Sequence, residues 1–454
     1  MATRTETDSM GSVEVPVDAL WRAQTERARQ NFQLSSLRFP ARFIHALAQV
    51  KAAAAQANAK AGVLTQPQAQ AIIAAADTIL AQAEPDSFPL DIFQTGSGTS
   101  TNMNMNEVLS SLVKQQSGLE LHPNDHINAS QSSNDVIPTT ILVSSTLAIS
   151  QQLLPALQHL QQVIKQKATS LKDVVKTGRT HLMDAMPLTF AQELSAWAAQ
   201  VNHTQVTLEQ HLQLLQQLPQ GGTAIGSGVN APDGFAADFC QALNERSAAQ
   251  FCPAANLFAG IAGQEVNAMV SGTLNALGTV LLKISNDLRW MNSGPLAGLG
   301  EISLTALQPG SSIMPGKVNP VIPEAVAMVA VQVAGNYHTV SAAAQQGNFQ
   351  LNVMLPVIAY NQLQSIELLS HAARALADQA IADFSVNHER INAVLARNPI
   401  LVTALNREIG YNQAAAIAKQ AYQQQRDILD VAAEQTDLDR DTLARLLDPK
   451  RLTE

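Results

Sequence analysis

Five short stretches of this chain gather hydroxyls, amides, imidazoles and a lysine where glycine or proline interrupts regular structure. The densest runs from Pro309 to Pro320 and sets Ser311, Ser312, Lys317 and Asn319 among Gly310, Gly316 and Pro315. So many breakers make it a loop, and the apolar-periodic run from Val321 reads as a helix beginning where it ends. A serine can act as a base or nucleophile only if its surroundings activate it, and a lysine beside an amide suits a carboxylate or phosphate. The phosphate-binding P-loop does not fit. Five residues separate Gly310 from Gly316-Lys317 where that motif has four, Val318 stands where Ser or Thr should hold magnesium, and no strand precedes the loop. By local composition alone, a plain connector between helices competes with the functional reading.

The other stretches repeat the theme. Gln94 to Asn102 is a small polar loop before the helical run Met103 to Lys114. Its hydroxyls, with the unpaired amides of a helix N-terminus, make an anion cradle, although a simple N-cap is the blander account. Ser130 to Asp135 precedes a long apolar run starting near Val136. In Leu121 to His126, the spacing of His122 and His126 suits a zinc helix, but Pro123 occupies the position where that motif needs Glu. Gly178 to Thr189 reads as a further polar loop, carrying His181 and ending at a helix start where Thr189 and Gln192 form a capping box. Taken alone, a loop histidine is an ordinary surface residue.

Helices must position these loops. Helical patterns cover Ala41 to Ala61 and Gln68 to about Ala83, and Pro85 and Pro89 then break the chain. Longer ones begin near Val136 and Thr189 and cover Ile261 to Met291, Ile322 to Ala344 and Met354 to Phe384. Helices of roughly 25 to 30 residues span about 40 Å, which implies a long bundle. Faces as poor in charge as Ala325 to Ala334 call for cover by partner subunits. After Val386-Asn387-His388 the patterns shorten to Glu389–Ala396, Leu401–Ile409, Ala414–Gln424 and Asp439–Leu447. The expected division is therefore an N-terminal mixed helical and loop domain over residues 1–136, a central long-helix domain over 137–386 and a small helical domain over 387–454.

Composition agrees with a mostly α protein: aromatics are only 4% of 454 residues, and Ala, Leu, Gln and Val dominate. A net charge of −9, with no basic run, argues against a nucleic-acid partner. Cys240 and Cys252 are too few for a disulfide framework or an iron-sulfur cluster. The first residues hold Glu6, Asp8 and Glu14 and no apolar segment, unlike a leader peptide, and no uninterrupted apolar run of membrane-spanning length occurs. The expectation is a soluble, cytoplasmic protein with no membrane partner.

The run Gly310 to Asn319 resembles the signature Gly-Ser-Ser-x-Met-Pro-x-Lys-x-Asn of the fumarase/aspartase superfamily, and every fixed position is filled. The likeness extends from Trp21-Arg22-Ala23-Gln24-Thr25 through Gly347 to Asn352 and on to Leu401 to Asn406. Within the superfamily the chain is most similar to the class II fumarases. His181 in Gly-Arg-Thr-His and Gly316 both favour them over aspartase, while Arg22 departs from their usual Gly.

The resemblance implies a three-domain fold with a central bundle of long helices, a homotetramer with a helical core, and active sites assembled from three subunits. It implies reversible hydration of fumarate to L-malate without metal or cofactor. Ser311 would take the proton from carbon 3, and His181, oriented by Glu324, would handle the water or hydroxyl. Substrate binding would fall to Ser97, Gly98, Thr99, Ser132, Ser133, Asn134, Thr180, Ser312, Lys317, Val318 and Asn319. A second dicarboxylate site would comprise His122, Pro123, Asn124 and Asp125. The alternatives are an aspartase-type ammonia lyase and a non-catalytic structural relative of the same superfamily.

Overall fold

The computed structural model describes residues 2–82 and 86–453. The expected helix end at Ala83 and the break at Pro85 lie outside the described residues. The chain forms two compact units, one from Met1–Pro155, Thr204–Gly278 and Val331–Ser370, the other from Ala156–His203, Thr279–Ala330 and His371–Glu454.

The first unit opens with an antiparallel hairpin, β1 (Thr3–Asp8) and β2 (Gly11–Pro16), in a segment whose sequence carries no strong strand signal. There follow α1 (Ala23–Asn31), α2 (Ala41–Lys60), α3 (Gln66–Leu80), α4 (Thr99–Ser117) and α5 (Ser133–Ala148). Helix α3 starts as its sequence dictates, with Thr65 and Gln68 in a reciprocal capping box and Pro67 in the first turn. Helix α5 is buried on every side, from Asp135 to Ala148, which explains its lack of amphipathic pattern. Truncating one of its core side chains, as in Ile141→Ala, should cost about 2–5 kcal/mol. Helix α2 packs against α3 and α5, and α4 packs against α1, α3 and α5. A π-helical turn then leads into α6 (Leu154–Ser170).

The stretch 178–189, expected as a loop, is instead part of a second hairpin, β3 (Val175–Thr180) and β4 (Met183–Thr189). Its two-residue turn is His181-Leu182, both with positive φ (54° and 61°). Turns of this kind usually carry Asn or Gly, and the absence of that cue hid the hairpin. Gly178 sits at a shift in register, where an added Cβ would fall 2.5 Å from the carbonyl oxygen of Met186. Helix α7 (Phe190–Leu215) then begins with the expected capping box: the Gln192 amide donates to Thr189 Oγ1 at 3.1 Å, and the Thr189 amide to Gln192 Oε1 at 2.9 Å.

After α8 (Phe235–Arg246), the expected helix 261–291 is split into α9 (Leu257–Ala262) and α10 (Glu265–Met291). Gly263, in extended conformation, ends the first of these. Helices α11 (Val321–Ala344) and α12 (Leu355–Leu376) match expectation closely, with α12 passing into a π-helical turn that ends at Ile381. The C-terminal segment holds α13 (His388–Leu395), a 3-10 stretch Pro399–Leu405 where a single helix was expected, α14 (Asn406–Ile409), α15 (Tyr411–Gln424), α16 (Ile428–Gln435) and α17 (Arg440–Leu446). Leu405, Ile417, Val431 and Leu443 form its own core.

By length and composition alone, two helical stretches could cross a membrane, Ser133–Ser170 and Glu265–Met291. The first is 72% buried in its most apolar window, as a core helix should be, and the second only 44%.

Candidate active site

In the first unit, two helix N-termini converge. The loop before α4 places Ser97 in left-handed conformation (φ 60°), and Gly98 follows at φ 75°. A side chain at Gly98 would also press within 3.2 Å of Ile137, so that position needs glycine. A strained serine ahead of a helix is the kind of backbone cost found at binding sites. Thr99 Oγ1 lies 2.9 Å from Ser133 Oγ, and Ser97 Oγ donates to Asn134 Oδ1 at 3.5 Å. Ser132 caps α5, its Oγ accepting from the Asn134 amide at 3.2 Å. Five predicted side chains are thus brought together at the positive ends of two helix dipoles, an arrangement suited to a carboxylate.

Buried groups that sequence reasoning left unassigned hold this arrangement. Asp135 completes the α5 capping box through Oδ1, which accepts from the Ser132 amide at 2.9 Å. Its Oδ2 accepts from Gln220 Nε2 and the amides of Gly221 and Thr223 at 2.9–3.0 Å. Burial raises the Asp135 carboxyl to about 6 against the pull of these donors and of Lys51. Burial likewise lowers the Lys51 ammonium to about 7, opposed by Asp135. A Ser-x-x-Asp box before an apolar run was the available signal for Asp135. Lys51, a lone cation in an Ala-rich helix, offered none.

The second unit holds the signature loop and the His181 hairpin. Gly310 and Lys317 pinch the base of the signature loop through an amide-to-carbonyl bond of 2.8 Å, and Asn319 Nδ2 donates to the Gly310 carbonyl at 2.9 Å. A Cβ at Gly310 would fall 2.6 Å from the Lys317 carbonyl oxygen, and Gly316 has φ 83°. Both glycines are therefore required by geometry. Ser311 Oγ accepts from the amides of Ile313 (3.3 Å) and Met314 (3.0 Å), and Lys317 Nζ donates to Asn319 Oδ1 at 2.6 Å. Ser312, Lys317 and Val318 are exposed. Lys317, Val318, Asn319 and Glu324, the last in the first turn of α11, line a cavity of about 890 Å3 together with Arg289 and Trp290.

His181 and Thr180 are exposed at the tip of the β3–β4 hairpin. Arg179, two residues before the imidazole, is ion-paired to Glu301. Lys176 lies 2.8 Å from Glu193 and 2.9 Å from Glu301 Oε2. Burial pushes the Glu301 carboxyl up, but Arg179 and Lys176 prevail and hold it below its ordinary value. Among the described residues, no hydrogen bond or ion pair joins His181 to Glu324 or to Ser311 within the chain.

Of the residues of the expected second dicarboxylate site, Pro123, Asn124 and Asp125 lie on a π-helical turn, Pro123–Ile127, in the first unit, and His122 caps it. His122 Nδ1 accepts from the amides of Asn124 and Asp125, both at 3.3 Å, and His122, Asn124 and Asp125 are exposed. Among the described residues, no three His, Cys, Asp or Glu side chains cluster as metal ligands would.

Known proteins are similar to this chain in sequence and in fold. A lyase family pattern matches residues 11–335, and a pattern for the fumarase C C-terminus matches residues 401–454. A class II fumarate hydratase of Xylella fastidiosa is 56% identical over 99% of this chain and 95% of its own length. Another, of Pseudomonas aeruginosa, is 56% identical over 99% and 98%. A class II fumarase of Schistosoma mansoni superposes with a TM-score of 0.96 at 37% identity, covering 100% of this chain and 99% of that one. A fumarate lyase:delta crystallin of Brucella melitensis, bound to cobalt, gives 0.95 at 41% identity and full coverage of both chains. Since the likeness runs the length of the chain and takes in each of the site loops, the chain belongs to the class II fumarate hydratase family.

Proposed function

We infer that the protein catalyses the reversible hydration of fumarate to L-malate. The observation that carries this reading is the 56% identity to two class II fumarate hydratases over nearly the whole chain. The local geometry supports a division of roles. A proton beside a carboxylate is weakly acidic, so the dianion formed on its removal must be met by preorganised donors. In the dehydration direction, Ser311 takes the proton from carbon 3 of malate. Two backbone amides aimed at its Oγ favour the alkoxide that this step needs. His181, working with Glu324, gives a proton to the departing hydroxyl, and in reverse it takes one from water as Ser311 returns its proton to carbon 3. Lys317, Asn319 and Thr180, with Ser312 and Val318 beside them, act on the substrate with the converging loops of Ser97, Gly98, Thr99, Ser132, Ser133 and Asn134. The turn His122 to Asp125 is proposed as a second dicarboxylate-binding place.

The active form is proposed to be a homotetramer in the cytoplasm. Met328 and Val331 on α11 are 71% and 69% exposed, and α10 is less than half buried in its most apolar window. Such faces call for partner subunits. Assembly would also supply the neighbours that His181 and Ser311 lack within one chain.

The test is the absorbance of the fumarate double bond on adding L-malate, then L-aspartate, to chelator-treated protein. Malate should yield fumarate undiminished by chelator, and aspartate should not. Comparable turnover of aspartate would move the reading to an ammonia lyase. Activity lost in chelator and restored by a metal would overturn a metal-independent mechanism.

A further inference from the structure

We propose that Lys51 and Asp135 are two buried positioning residues that together hold Ser132, Ser133 and Asn134 in the shape that receives a substrate carboxylate. The proposal rests on the functional reading above, since it takes the start of α5 as part of the substrate site.

Both side chains are wholly buried, and Asp135 meets the proposed substrate groups only at the backbone amide of Ser132. Asp135 ties together two loops that are distant in sequence. One oxygen holds the amide of Ser132, and the other gathers three donors from residues 220–223. The second loop in turn accepts from the substrate-facing side: Asn134 Nδ2 donates to the carbonyl of Ala224 at 2.9 Å. Lys51 works from beneath, donating to Asn128 Oδ1 at 2.9 Å and Gln131 Oε1 at 3.1 Å. Asn102 and Asn106 of α4 converge on the same Asn128 oxygen, each at 3.2 Å. Asn58 holds the carbonyl of Ala129 at 2.8 Å and receives the hydroxyl of Ser130, itself in left-handed conformation (φ 61°).

Energetics favour positioning over stability as the reason for these groups. Buried charges are usually no better for folding than apolar side chains of the same volume, while stripping one of its hydrogen-bond partners is costly. Asp135 favours the charged form of Lys51, and Lys51 that of Asp135, against the burial that opposes both. What the two side chains do is supply an acceptor for four donors and a donor for two amide oxygens, all at Ser132 or in the loops beside it. An asparagine at position 135 cannot reproduce this, because its NH2 would face either the Ser132 amide or the three donors from residues 220–223.

The experiment compares Asp135→Asn, Lys51→Met and Gln220→Met with Asn134→Ala, reading kcat, KM for L-malate and inhibition by the unreactive dicarboxylate succinate. Asp135→Asn and Lys51→Met should each raise KM and the succinate inhibition constant about tenfold or more, with a smaller fall in kcat. A change confined to folding would instead lower the active fraction and leave both constants alone. Gln220→Met removes one of the donors on Asp135 and should raise both constants about threefold. It decides the matter if the charge variants do not fold. If Asn134→Ala weakens dicarboxylate binding while Asp135→Asn, or failing it Gln220→Met, leaves both constants within twofold of the parent, the positioning role is overturned and the substrate site stands. If Asn134→Ala itself changes neither constant, the placement of substrate at the start of α5 is overturned, and the positioning role with it.

Discussion

The hydroxyl oxygens of Thr99 and Ser133 stand 2.9 Å apart although 34 residues separate them, and this contact joins the first turn of α4 to the first turn of α5. Each helix brings unpaired amides and the positive end of its dipole to the same place. A hydrogen bond to a charged group contributes about 1.5–3 kcal/mol. Ser133→Ala and Thr99→Val should therefore each raise KM for malate roughly 10- to 100-fold, with less effect on kcat. Steady-state kinetics showing an unchanged KM in both variants would remove this pair from the proposed substrate site.

Ser311→Ala keeps the loop pinch at Gly310 and Lys317 but deletes the hydroxyl that two amides address. The expected outcome is a fall in kcat of roughly 10² to 10⁴, the range for a lost general base, with KM altered far less. Lys317→Met should raise KM as well, since the proposed contact to the ground-state carboxylate would go with it. Near-full turnover by the Ser311 variant would assign proton abstraction to another group.

Assembly can be tested by complementation. If the loops of Ser311 and His181 that serve one site come from different subunits, the Ser311→Ala and His181→Asn proteins are each inactive for separable reasons. Dissociating and reassociating a mixture should create hybrids in which some sites draw both intact groups, and activity should reappear. Hybrids verified by mass that stay as inactive as their parents would place both groups of each site on a single chain.

The anchoring of the His181 hairpin gives a pH prediction. Burial opposes the Glu301 carboxylate, but Arg179 and Lys176 hold its carboxyl below the ordinary value. A carboxyl depressed by folding contributes stability that is complete above its unfolded value, near 4.3, and is lost as pH falls through the folded value. Melting temperature should therefore drop steeply for the parent below about pH 4.3. Glu301→Gln should be less stable at neutral pH and show a shallower acid limb. Parallel acid limbs for the two proteins would mean that Glu301 contributes nothing to the acid transition.

Local signals in the sequence determined much of this protein. The expected helix start near Gln68 forms two residues earlier, at Gln66, and the capping box of Thr189 with Gln192 forms as written, because a cap is settled within one turn of chain. The signature stretch was legible as a loop, since Pro and Gly exclude regular structure there, and the close approach of Gly310 to the Lys317 carbonyl leaves no room for a side chain. The long helices at 321–344 and 355–376 were equally plain from their length.

Tertiary structure alone decided the rest. The β3–β4 hairpin has no Asn-Gly turn, and its shape depends on Arg179 and Lys176 meeting Glu301, more than a hundred residues away. That Ser97 and Thr99 meet Ser133 and Asn134, and that Lys51 and Asp135 are both wholly buried, follows from how α2, α4 and α5 pack. Periodicity records which face of a helix is buried but not against what. The partners of a buried charge are therefore fixed by the packed fold, not by any spacing along the chain.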